Sequence, residues 1–148
     1  MSISAKEFFK PEEQEDIKQA IIAAELETSG EIRVHIENIC KGDVLDRAAY
    51  VFHHLKMTRT HLRNGVLIYL AVKHRKFAII GDKGIHRVVP ENFWDDIKEG
   101  MLTFFRKEEF TEGLCYAIRA AGEQLKKYFP RKQNDTDELP DDISFGKD

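Results

Sequence analysis

The chain has 148 residues, 42% of them hydrophobic, which suits one globular domain with a real core. No apolar run reaches the roughly 18–20 residues a membrane-spanning helix needs, and two cysteines, Cys40 and Cys115, are too few and too far apart for a disulfide framework or a thiolate metal site. The net charge of −3 conceals an acidic tail, −5 from Gln133 to Asp148, and neither that nor the +2 left on residues 1–132 demands nucleic acid as a partner.

The N-terminal stretch is acidic and polar, unlike a signal peptide, so a cytoplasmic location with reduced, structural cysteines is expected. Pro11 fits a first helical turn, acids follow at Glu12, Glu13 and Glu15, and Ile17, Ala20, Ile21, Ala24 and Leu26 keep mostly helical spacing. From Glu31 to Asn38 the chain alternates, with Ile32, Val34 and Ile36 on one face and Arg33, His35 and Glu37 on the other, as in a half-buried strand. Asp43 caps a second helix whose apolar stripe is Val44, Ala48, Val51, Phe52 and Leu55. A polar loop leads to the apolar run Val66 to Val72, which reads as a central strand, and Phe77 to Ile80 returns as a third. The second and third strands form an antiparallel hairpin. The first and second, joined by a helix, run parallel, so the sheet is mixed. After Pro90, Phe93, Trp94, Ile97, Met101, Phe104 and Phe105 mark one helix, and Leu114, Ala117, Ile118, Ala121 and Leu125 mark another. The aromatic residues belong to the core. The domain is expected over 1–130, with 131–148 an acidic, flexible C-terminal tail on which Ile143 and Phe145 are the residues able to dock. A fourth short strand has no evident place.

The hairpin closes on Gly81-Asp82-Lys83-Gly84. Its antiparallel register puts Asn64 near Asp82, and the parallel first strand brings Glu31 to the same edge. Glu31, Asn64 and Asp82 are hard oxygen donors of the kind calcium or magnesium takes. The same residues equally suit a turn, a loop and a solvated strand end. Glu91, Asp95 and Asp96 open the helix after Pro90, where acids are favoured by the helix dipole. Asp95 also lies close enough in sequence to share a pocket with Asp82. The basic segment His53 to Arg63, with Lys56, Arg59 and Arg63, suits either a solvated loop or a phosphate seat. No zinc-protease histidine pair, nucleotide-binding glycine loop, serine-hydrolase elbow or cysteine-phosphatase loop is present.

Three motifs occur in order: Ser29-Gly30-Glu31-Ile32-Arg33-Val34, Arg63-Asn64-Gly65-Val66-Leu67-Ile68 and Gly81-Asp82-Lys83-Gly84-Ile85. Together they resemble the TPM domain family over about residues 5–130. The resemblance implies an α/β fold, an α/β/α sandwich around a small mixed β-sheet in a single domain. It also implies divalent-cation binding (Ca or Mg), acid phosphatase activity in some members, and acidic residues after the glycine loop, here Glu91 and Asp95, joining the metal set. The expected metal residues are therefore Asp82, Glu31, Asn64, Asp95 and Glu91. Arg59 and Arg63 are the phosphate- or partner-binding candidates, and no catalytic residue is assigned. Two functions follow: a divalent-metal protein with weak or no phosphatase activity on a phosphorylated small molecule, or a non-catalytic scaffold that recruits a protein partner and carries a structural metal.

Overall fold

The computed structural model describes residues 4–131 and 139–146. After a short helix α1 (Ala5–Phe8), helix α2 (Pro11–Glu25) starts on proline, and the Glu13 carboxylate closes its first turn by accepting from Lys10 N at 2.9 Å. Its apolar stripe, Ile17, Ala20, Ile21 and Ala24, is buried. Strand β1 (Glu31–Glu37) follows, then α3 (Val44–His54), β2 (Gly65–Ala71) and β3 (Lys76–Gly81). A one-turn helix α4 (Lys83–His86) leads to α5 (Asp95–Arg106) and α6 (Phe110–Tyr128), and β4 (Ser144–Phe145) ends the described chain.

The sheet order is β3-β2-β1-β4. β1 runs parallel to β2 with Glu31 opposite Gly65, and β2 runs antiparallel to β3 with Val66 opposite Gly81. β2 is buried throughout because both its faces are covered. Val66, Ile68 and Leu70 join Ile32, Val34 and Ile36 in a core closed by α2, α5 and α6. Leu67, Tyr69, Ala71 and Ala78 face the other way, toward Ala48, Val51 and Phe52 of α3. The result is the three-layer α/β/α sandwich. Leu114, Ile118 and Leu125 of α6 are fully buried, each worth about 1.5–3 kcal/mol over exposure. Gly122 lets α6 approach α2 closely, since a Cβ there would sit 2.8 Å from that of Ala24.

Two expectations need correction. Helix α5 begins at Asp95, and Phe93 with Trp94 lies in the turn before it, Trp94 remaining buried as core. The tail expectation falls partly on residues 132–138 and 147–148, outside the described set; residues 139–146 lie against the domain. Leu139 is buried beside α3, Ile143 and Phe145 pack on the main core, and Ser144–Phe145 supplies the fourth strand, parallel to β1. Acidic composition hid this because a few apolar side chains with a ready sheet edge suffice to order a short segment.

Candidate functional site

The residues expected to hold a metal occupy the edge where β1 and β2 begin and β3 ends. Glu31, Asn64 and Asp82 are all buried there, and Asn64 O accepts from Glu31 N at 3.3 Å. The Asp82 carboxylate and one Glu31 oxygen are committed elsewhere, while Asn64 Nδ2 is buried with no hydrogen-bond partner among the described residues. Asp82 receives Arg63 through two bonds, Nε to Oδ2 at 2.7 Å and the second guanidinium nitrogen to Oδ1 at 2.9 Å. Oδ1 also accepts from Lys83 N at 2.8 Å, capping α4. Glu31 Oε1 accepts from Leu139 N at 2.5 Å, so this carboxylate anchors the C-terminal segment. Glu91 and Asp95 are exposed, in the turn before α5 and in its first turn. Among the described residues no group of three or more His, Cys, Asp or Glu is arranged to hold a metal. The five residues do not fit a divalent ion as a set.

The glycines of this loop serve the chain itself. A Cβ on Gly84 would lie 2.1 Å from Leu62 O and 2.6 Å from Arg63 O, and Gly84 N donates to Arg63 O at 2.9 Å. Close backbone approach is indeed what glycine allows, but the approach is to residues 62–63. Arg63 takes a left-handed conformation, φ 52°, and aims its side chain at Asp82. That leaves Arg59, exposed at the end of the 3₁₀ turn Met57–Arg59, as the basic residue of the pair open to a phosphate.

A second polar group gathers at the opposite edge, where β1 ends. Glu37 is buried, and its carboxylate receives Arg47 Nε at 2.7 Å, the second Arg47 nitrogen at 2.9 Å, and the hydroxyl of Tyr69. His35 Nε2 lies 3.2 Å from Glu37 Oε1 and Nδ1 lies 2.9 Å from Ser144 Oγ. An ionised carboxylate only accepts, so Nε2 carries a proton; in the neutral imidazole Nδ1 then accepts from the serine. Burial alone would raise the Glu37 pKa, but the bonds from Arg47, His35 and Tyr69 outweigh it and hold the carboxyl well below the usual range. Burial and the adjacent carboxylate push the Tyr69 phenol well above its ordinary value.

Past Glu37 the chain forms an open cleft of about 540 Å³, bordered by Cys40, Asp43, Asp46 and Arg47. Its wall is stiffened by an ammonium group: Lys76 Nζ donates to Cys40 O and to Gly42 O, both at 2.9 Å. His74 Nδ1 lies 2.8 Å from the same Cys40 carbonyl and 3.1 Å from Cys40 N. Asp43 caps α3 through Oδ1, accepting from Leu45 N at 2.7 Å.

The family model of the TPM domain matches residues 3–124. The chain belongs to the TPM domain family. This TPM domain is similar to the BA42 protein of the psychrophilic bacterium Bizionia argentinensis, solved by NMR, at 51% identity and a TM-score of 0.90, with 95% of this chain and 97% of that one covered. It shares its fold with the N-terminal domain of a P. gingivalis protein, at 17% identity and a TM-score of 0.66, covering 85% of this chain and 83% of the other. The N-terminal domain of cg2496 from Corynebacterium glutamicum has the same fold, at 12% identity and a TM-score of 0.61, covering 88% and 81% of the two chains. None of the curated proteins compared with it matches. No helix among the described residues of this TPM domain is long and apolar enough to cross a membrane.

Sequence reasoning had placed Glu31, Asn64 and Asp82 on one edge, and the register brings them there. It missed the Glu37 group. A tyrosine in an otherwise aliphatic central strand, with an arginine on the sheet side of α3, was the available signal. A buried phenol needs polar partners, and the partly exposed Arg47 reaches the same carboxylate.

Proposed function

We propose that this TPM domain is a non-catalytic binding module that takes a divalent cation, calcium or magnesium, at the cleft after β1. The observation that supports this reading is the grip of Cys40 O and Gly42 O on Lys76 Nζ beside Asp43 and Asp46. A loop that turns backbone carbonyls onto a positive charge presents the hard oxygens these ions prefer. The cleft also follows the carboxyl end of a parallel strand, where α/β sheets commonly bind ligands. A cytoplasmic location belongs to the same reading, supported by two buried free thiols, Cys40 and Cys115.

Phosphomonoester hydrolysis has weaker support. A general base needs an accessible lone pair, and the lone pairs of Glu37 are taken by Arg47, Tyr69 and His35. A second reading, a protein-interaction module, draws on a separate observation, the C-terminal segment lying as an added strand on β1.

Calorimetric titration tests the first reading. Calcium or magnesium should bind saturably, at least tenfold more weakly to Asp46→Asn and more tightly to Lys76→Met, which frees two carbonyls and removes a competing charge. Binding indifferent to Asp46→Asn but lost in Asp82→Asn would return the ion to the other edge. Turnover of p-nitrophenyl phosphate that a chelator abolishes would contradict the non-catalytic reading.

A further inference from the structure

The outer edge of β1 is only partly used. β1 is seven residues long, yet β4 pairs with two of them, Ser144 opposite His35 and Phe145 opposite Ile36, and Gly146 N donates to Ile36 O at 2.9 Å. Before Ser144 the segment runs through Pro140, which has no N–H to give, and through Asp141 and Asp142, which form no strand. At the start of the strand Ile32 N donates to Glu25 Oε2 at 2.9 Å, so the middle of β1 is the stretch of edge that another extended chain can use as a template.

Side chains recognise the segment as a peptide groove would. Ile143 and Phe145 pack on the main core, Ser144 Oγ meets His35, and Asp142 pairs with Lys18 Nζ at 3.0 Å. The fit is incomplete. Arg33 Nε and Asp141 Oδ1 are buried without a hydrogen-bond partner among the described residues. A cavity of about 350 Å³ also remains between Ile143, Phe145 and the α2 residues Gln14 and Lys18. An unpaired guanidinium nitrogen, a void beside an aromatic anchor and an unfilled strand edge all lie along one line.

We propose that the β1 edge is an acceptor groove for an extended segment of another protein, and that residues 139–146 fill it in cis until displaced. The segment it fits has the pattern acid, aliphatic, Ser or Thr, aromatic, read from Asp142-Ile143-Ser144-Phe145. It runs parallel to β1, and its acidic end lies toward Lys18 and Arg33. Backbone pairing supplies affinity and the alternate side chains supply selectivity, as in strand addition generally. The same segment of a second copy offers no contact the cis segment lacks, and the cis segment competes at an effective concentration of about millimolar. A foreign segment that stays extended opposite Arg33 and Val34 gains pairs along β1 and can win.

The test uses the full chain, ¹⁵N-labelled, as wild type and with Ile143→Ser and Phe145→Ser together. The probe is a synthetic peptide copying residues 139–146 with Pro140→Val. In the double variant it should shift the amides of Lys18, Arg33, His35 and Ile36 saturably, with half-saturation at least tenfold below that of wild type. Equal affinity for both, or no saturable shift in the variant, overturns the proposal. Hydrogen exchange on the wild-type chain gives a check that no variant's folding can spoil. The Gly146 amide should exchange at least a hundredfold faster than those of β2, and equal protection contradicts a displaceable segment. A dimer that grows with concentration and vanishes in the double variant would overturn the assignment to a foreign chain.

Discussion

Asp82 turns its carboxylate onto its own chain. Both oxygens receive Arg63, one also caps α4, and the flanking Gly84 is small because the backbone of residues 62–63 lies against it. Asp82→Asn should therefore lower the unfolding midpoint in urea while leaving divalent binding unchanged; weakened binding at unchanged stability would contradict the account. At the other edge Tyr69→Phe removes one donor from a buried, ionised carboxylate. A hydrogen bond to a charged group is worth about 1.5–3 kcal/mol, and that loss should appear as a lower urea midpoint at constant slope. Alternation along β1 identified Arg33, His35 and Glu37 as sharing a face, but it cannot say what covers that face. The cover comes from Arg47, Tyr69 and a serine 109 residues further along the chain.

Elements with long periodic signals were legible. The helices α2, α3 and α6 and the β2–β3 hairpin appear where apolar spacing and apolar runs put them. Short elements were not. α4 is four residues and β4 is two, and neither length allows a periodic pattern to emerge. Gly-Asp-Lys-Gly looks like a turn for a ligand, whereas it is an N-cap followed by a glycine pressed on a neighbouring loop. Gly84→Ala tests that reading directly. Its new methyl would meet rigid carbonyl oxygens, so stability should fall by about 1–3 kcal/mol or more, measured by chemical denaturation. An unchanged midpoint would mean that loop yields freely.

For the molecule as a whole, the pairing of buried Glu37 with the partly exposed Arg47 ties stability to pH. Its folded-state pKa lies well below the ordinary 4.5 of the unfolded chain. The pair's contribution is complete above about pH 4.5 and is lost as pH falls toward the folded value, because the unfolded chain takes up the proton first. The urea midpoint should drop progressively as pH falls below about 4.5, and Glu37→Gln should flatten that dependence while lowering stability at neutral pH. The helices and the mixed sheet could be read along the chain because the apolar pattern carries them, and the layering and the family followed from the resemblance of its three motifs. Which of two polar edges takes a ligand could not, because both present carboxylates and only their bonding partners separate them. The most direct measurement is an amide-shift map of the full chain during calcium titration. Shifts centred on residues 39–46, with Asn64 and 81–84 unmoved, are what the account predicts. Shifts centred on Asn64 and 81–84, with the loop after β1 silent, would contradict it.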